Sequence, residues 1–338
     1  MTTRLPALGI DMAKSTFDVH LLAESKVSSQ HFANTSPGCE ALVQWLKQLG
    51  MKQVHACMEA TGTYGDALAL FLYQAGHTVS IVNPARMAAF RLSEGGRTKT
   101  DKQDAKLIAH FCAQKCPVAW LPTPAAIAQL QVLLVRLEAL QQMERQEANR
   151  LENGRFDAQT RQDIQEHRQD LKTRIREVKK RLHAHIEQYE TLKKPCTLLI
   201  SLPGIAELSA ARLLAEIIDI TRFKTVKQLV AHAGLAPQER SSGNSVRGKA
   251  SIGKSGRSKL RKALYMCAVV ASTHDPSMRA FAQRMRQRGK PAKVVLTAVM
   301  RKLLHMVYGI LKSEKAYDPT KAFPGAALGS VPEAEVAA

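Results

Sequence analysis

Ala7-Leu8-Gly9-Ile10-Asp11, a turn at Ala13-Lys14-Ser15, then Phe17-Asp18-Val19-His20-Leu21-Leu22: this stretch reads as two short strands joined by a tight turn. Each is an apolar run of strand length bounded by polar turn residues. Outward from it, Ser36 to Leu49 has helical spacing, with Leu42, Trp45, Leu46 and Leu49 on one face. Gln53-Val54-His55-Ala56-Cys57-Met58-Glu59 reads as a strand, and Ala60 to Gly65 as a loop. Asp66 to Ala75 reads as a helix ended by Gly76, because glycine readily takes the left-handed conformation that closes a helix. Thr78 to Asn83 reads as a buried strand stopped by Pro84. Ala85 to Ser93 and Thr100 to Gln114 read as helices on either side of a glycine-containing loop, Glu94 to Lys99. Strands that alternate with helices predict an α/β domain over residues 1–120, and the opening hairpin gives its sheet an antiparallel edge.

Beyond it the texture changes. Pro117 to Pro124 is a proline-rich connector. Ala125 to about Leu192 has no proline, a single glycine (Gly154), and much Glu, Gln, Arg, Lys and Leu. That composition predicts long helices, an antiparallel coiled-coil pair broken near Asn153-Gly154. Pro195 is taken as the next boundary, giving a helical spacer over 125–194, a mostly helical basic domain over 195–320, and a flexible tail over 321–338. In the basic domain, two helical stretches meet at Leu202-Pro203-Gly204-Ile205. This resembles a helix-hairpin-helix, whose turn offers backbone N–H groups to a phosphate. Gln238 to Gly256 reads as a polar loop, and Ser258 to Ser272 and Lys290 to Leu311 as helices with apolar faces.

The formal charge is +20 over 338 residues, which implies a polyanionic partner, nucleic acid first and an acidic membrane surface second. Met1 to Trp120 carries 12 Lys/Arg against 9 Asp/Glu, whereas Arg240 to Lys302 carries 16 against the single acid Asp275. Charge concentrated in this way marks a phosphate-binding surface. Arg240, Arg247, Lys249, Lys254, Arg257, Lys259, Arg261 and Lys262 are its candidate nucleic-acid-binding residues. No stretch reads as the roughly 20 unbroken apolar residues of a membrane span, and the N-terminus lacks a signal-peptide pattern, so the cytoplasm is expected. Six cysteines in a chain of this length do not form a disulfide framework pattern. Cys112, Cys116 and His110 lack the second Cys/His pair that a zinc site needs.

Four acids stand out by position. Asp11 ends one apolar strand and Glu59 ends another, while Asp101 and Asp104 open a helix three residues apart and share one face. A carboxylate beside a core strand is costly unless it is paired or binds a cation. Mg²⁺ suits an all-oxygen donor set and serves in-line phosphoryl displacement. The Arg240-Ser241-Ser242-Gly243-Asn244-Ser245-Val246-Arg247-Gly248 stretch is rich in serine, glycine and arginine. Taken alone, it reads as a phosphate-binding loop.

The order strand-Asp, strand-Glu, helix Asp-x-x-Asp resembles the RNase H-like fold of RuvC-type nucleases. Gly9-Ile10-Asp11-Met12-Ala13-Lys14, Glu59-Ala60-Thr61-Gly62-Thr63-Tyr64 and Lys99-Thr100-Asp101-Lys102-Gln103-Asp104-Ala105 more closely resemble the signatures of the DEDD transposases of bacterial insertion sequences, the one-ten family related to the Piv DNA invertase. The resemblance continues through Pro203-Gly204-Ile205, Ala233-Gly234-Leu235-Ala236-Pro237, Ser242 to Gly248 and Arg261-Lys262-Ala263-Leu264-Tyr265, and so spans nearly the whole chain. It implies that Asp11, Glu59, Asp101 and Asp104 bind Mg²⁺, and that Ser242, with Ser241 and Ser245 as alternatives, is the nucleophile of a site-specific DNA recombinase. It further implies donor and target DNA, a structured bridge RNA, and a dimer or tetramer in which carboxylates and serine meet between subunits. The competing readings are a RuvC-like nuclease that uses water, an RNA-independent invertase of the Piv type, and a non-catalytic architectural DNA binder.

Overall fold

The computed structural model describes residues 4–24, 26–60, 62–94, 101–242, 246–252 and 256–322, apart from the side chains of 101–102, 238–251 and 321–322. The chain forms two compact units, Met1–Pro122 and Thr123–Ala338.

The first unit is built on one five-stranded sheet. Strands β1 (Ala7–Met12), β2 (Thr16–Leu22) and β3 (Val27–Ala33) form an antiparallel meander. β4 (His55–Glu59) and β5 (Thr78–Val82) add to β1 in parallel, so the spatial order is β3-β2-β1-β4-β5. Helices α1 (Ser36–Gln48) and α2 (Asp66–Gln74) cover one face, where Leu8, Ile10, Phe17, Val19, Leu42, Leu46 and Leu68 form a core. Helices α3 (Pro84–Ser93) and α4 (Asp101–Lys115) contribute to a smaller core with Ala7, Cys57 and Val82 on the other face. α1 and α3 begin with side-chain caps, Thr35 accepting from the Gly38 N–H and Asn83 from the Ala85 N–H. β3 was not anticipated. It is an edge strand whose side chains mostly face solvent, so it lacks the apolar alternation that reveals a half-buried strand. The connector does not leave the sheet at once, for the Trp120 N–H donates to Val79 O at 2.6 Å.

In the second unit, α5 (Ala125–Asn153) and α6 (Ala158–Gln188) run the length expected and pack along each other, broken at Gly154. Asp157 caps α6 by accepting from the Thr160 N–H at 2.9 Å. Pro195 is not a boundary. It lies within α7 (Glu190–Ile200), and the chain breaks earlier, at the extended residue Tyr189. α7 meets α8 (Glu207–Ile217) at the anticipated Pro-Gly turn. Gly204 there has φ +90°, and an added Cβ would stand 2.7 Å from Cys267 O. The turn is thus pressed against α10 (Ser258–His274), and this close packing requires the glycine. α9 (Val226–Ala233) leads into the segment expected to be a loop. Its described parts instead form an antiparallel hairpin, β6 (Pro237–Ser242) and β7 (Val246–Ile252). Strands with so few apolar residues and no regular apolar alternation give no such signal.

α11 (Pro276–Gln287), α12 (Ala292–Ser313) and the short α13 (Pro319–Ala322) complete the unit. Part of the expected tail is therefore helical, and 323–338 lie outside the described residues. One buried apolar cluster runs from Ala126 to Ile310. Among the described residues, α12 has the length and composition of a membrane span, although Lys293, Arg301, Lys302 and Lys312 interrupt its apolar run. Its Val295, Val299, Leu303, Leu304 and Val307 are nevertheless buried in the core of this unit.

Candidate active site

Register places the sequence-derived carboxylates of the first unit. Gly9 pairs with Cys57 across the parallel β1–β4 ladder, and Ile10 with Met58. Partners in a ladder point to the same face, and that face alternates along the strand. Gly9 faces α4, since a Cβ there would meet Ala105 O at 2.1 Å and Ala109 N at 2.3 Å. Asp11 and Glu59, each two residues further on, therefore also occupy the α4 face, at the carboxyl ends of neighbouring strands. The direction of α4 brings its start to this end. Its far end is level with the strand beginnings, where Cys112 Sγ donates to His55 O at 3.4 Å. Asp104, in the opening turn of α4, thus lies at the same end and on the same face as Asp11 and Glu59. The backbone of Asp101 begins the helix, and its side chain is outside the described residues.

Asp104 is 7% exposed and accepts from Arg91 Nη2, on α3, at 2.7 Å. One carboxylate oxygen is thereby engaged, which answers the cost of burying the charge. Arg91 had no sequence signal, because its partner lies on another helix. Asp18 lies on β2, across the hairpin from β1. The β1–β2 register sets it directly opposite Asp11 on the same face, with its side chain 15% exposed and 3.1 Å from His31 Nδ1. Counting two-residue steps across the hairpin could have found it. Asn34 ties the loops at this end together: its Nδ2 reaches Ala13 O at 3.3 Å, Lys14 O at 3.4 Å and Tyr64 O at 3.1 Å.

Among the described residues, no three His, Cys, Asp or Glu side chains are placed so as to hold a metal ion together. The donor chemistry still fits a hard cation. Asp11, Glu59 and Asp104 offer only oxygen, as Mg²⁺ requires. Behind them, Cys57 and Cys112 are buried.

In the second unit, Ser242 ends β6 opposite Val246, while Ser241 pairs with Arg247 and Arg240 with Gly248. The side chains of Arg240, Ser242, Arg247 and Lys249 lie outside the described residues, as does Lys254 altogether. Just before α10, the Arg257 N–H donates to His232 O at 2.9 Å. The other candidate basic residues are partly engaged within the protein. Arg261 donates to Ala233 O at 2.9 Å. Lys262 pairs with Glu138, and Arg257 Nε lies 3.8 Å from Glu216. Lys259 lines a cleft beside them.

Residues 8–154 match a family model described as a transposase, the DEDD type of IS110, and residues 196–283 match one described as the transposase IS116/IS110/IS902 family. The pilin gene-inverting protein of Moraxella bovis is 35% identical over 92% of this chain and 97% of its own length. Its namesake in Moraxella lacunata is 34% identical with the same coverage. An uncharacterized 43.6 kDa protein of insertion element IS110 from Streptomyces coelicolor is 30% identical over 43% of this chain and 36% of its own. With both family models matched and two relatives aligned over almost their full length, the chain belongs to the IS110 family of transposases.

Proposed function

We propose that this protein is a site-specific DNA recombinase that cuts and rejoins strands through a covalent serine–DNA link. The observation that carries the reading is the register that sets Asp11 and Glu59 side by side at one end of the sheet, with the α4 turn bearing Asp104 on the same face. The order β3-β2-β1-β4-β5 supports an RNase H-like fold for this unit. Asp11, Glu59, Asp101 and Asp104 would hold Mg²⁺, which when bound would offset negative charge at the scissile phosphate.

Ser242 Oγ attacks phosphorus, the new Oγ–P bond forms, and the P–O3′ bond breaks. The serine proton leaves and the 3′ oxygen gains one. A second 3′-hydroxyl then attacks the phosphoserine, so one phosphodiester replaces another without net hydrolysis. Arg240, Arg247 and Lys249 would hold phosphate oxygens and favour the serine alkoxide. The resemblance of the motifs supports a bridge RNA that pairs with donor and target DNA, and a dimer or tetramer whose carboxylates and serines meet between subunits. Inversion of a DNA segment is the second reading, supported by the relatives named as pilin gene-inverting proteins.

Trapping protein–DNA adducts under denaturing conditions tests the chemistry. Wild type should give an adduct at a 5′ phosphate, while Ser242→Ala and Asp11→Asn should give none. An adduct that persists in Ser242→Ala and disappears in Ser241→Ala moves the nucleophile by one residue. Cleavage without any adduct in wild type refutes the serine link in favour of a water-using nuclease. Nuclease digestion of co-purifying RNA, followed by recombination, separates an RNA-guided enzyme from an RNA-independent invertase.

A further inference from the structure

Within the second unit, a cleft of about 270 Å³ opens between α5, α8 and the start of α10. Arg212, Arg257, Lys259 and Lys262 line it, against only two carboxylates, Glu138 and Glu216. Lys262 hydrogen-bonds Glu138, and Arg257 approaches Glu216 at 3.8 Å. Among the described residues, neither Arg212 nor Lys259 has a carboxylate within ion-pair distance. Both nonetheless act through space on Glu138, which the Lys262 hydrogen bond, and then the charges of Lys262, Arg212 and Lys259, hold below the usual carboxylate range. Cations from two helices thus converge on one anion. Glu216 Oε2 is buried without a hydrogen bond, and Gln131 is committed to the wall, donating to Ala215 O at 2.7 Å. Leu134 and Val135 supply an apolar side. Its cation-lined walls suit a phosphate with its sugar edge.

We propose that this cleft is a slot for one phosphodiester of a nucleic-acid strand, with Glu138 keeping the phosphate's place until the strand arrives. The slot rests on the reading of the chain as a nucleic-acid enzyme. It adds Arg212, from a helix outside the basic segment, to the residues that would grip the strand. On binding, the phosphate takes the donors of Lys262, Arg212 and Lys259, and the Glu138 carboxylate turns to solvent, which its half-exposed position allows.

The test is fluorescence anisotropy of the full chain with a labelled 20-mer oligothymidylate and with a 20-base-pair duplex, from 50 to 400 mM NaCl. Arg212→Gln and Lys259→Gln should each lower the slope of log K against log salt by about 0.7 on the single strand, and weaken binding about fivefold at 0.1 M salt. Glu138→Gln should tighten binding by a similar factor. Lys179→Gln, on the exposed side of α6, is the surface control, and thermal melting confirms that each variant is folded. If Arg212→Gln and Lys259→Gln behave like Lys179→Gln while wild type binds with a steep salt dependence, the slot is refuted and the recombinase reading stands. If folded Glu138→Gln weakens binding as much as Arg212→Gln, Glu138 positions the cations and the place-holding role is refuted. If wild type binds neither oligonucleotide, the slot and the recombinase reading fall together.

Discussion

Replacing Gly9 with alanine should cripple the enzyme without touching a single carboxylate. The added methyl would lie 2.1 Å from Ala105 O and 2.3 Å from Ala109 N, both in the backbone of α4. A carbon–oxygen contact needs about 3.3 Å, so α4 must retreat by roughly 1.2 Å or tilt by an equivalent amount. Overpacking of this kind costs about 1–3 kcal/mol, which lowers the melting midpoint by roughly 4 °C for each kcal/mol. The functional cost should be larger. α4 carries Asp101 and Asp104, while Asp11 and Glu59 stay on the sheet, so the retreat separates the proposed ligands. A misplacement of about 1 Å at a reacting centre costs on the order of 100-fold in rate. The assay is single-turnover strand cleavage on DNA carrying the element's own ends, beside calorimetry and oligonucleotide binding. Gly9→Ala should melt earlier and bind nucleic acid as wild type does, but cleave about 100-fold more slowly. A lowered midpoint with wild-type cleavage would show that the spacing of α4 from β1 is irrelevant to chemistry, and would refute the proposed role of these carboxylates.

Removing the Arg91 guanidinium leaves the buried Asp104 carboxylate without this partner. Arg91→Ala should therefore destabilise the first unit by about 2–4 kcal/mol in urea titration, and Arg91→Lys should recover part of the loss. Asn34→Ala unties the loops that flank the candidate site. It should cost only about 1 kcal/mol, and cleavage should fall more than stability does; equal, small effects on both would assign Asn34 a purely structural role. His183 Nδ1 lies 2.6 Å from Glu207, whose hydrogen bond raises the His183 pKa above 6.5. Because the folded value is the higher one, the contribution of this pair is present below pH 6.5 and lost as pH rises through the folded pKa. Proton NMR should show a His183 midpoint that moves down towards 6.5 in Glu207→Gln, and an unmoved midpoint would dismiss the pair.

Much of the architecture was legible in the residues because local physics governs it. The opening hairpin, β4 and β5 announce themselves as apolar runs of strand length, and α5 and α6 as a proline-free stretch broken at one glycine. The misreadings share a cause. β3, β6 and β7 have few apolar side chains, so no burial pattern marks them as strands. Pro195, whose residue type suggests a boundary, sits inside α7. In α12, basic residues interrupt the apolar run in the sequence, although they do not interrupt its buried face.

The candidate site divides the same way. Sequence by itself determined the basic segment, the four acids and the serine segment, since charge, residue type and spacing are properties of the chain. Only the tertiary structure decided that Arg91 holds Asp104 and that Arg212 joins Lys259 and Lys262 around Glu138. Each of these relations joins residues on different elements. It depends on ladder register and helix packing, which arise from burying apolar faces across the whole unit and leave no trace in local sequence.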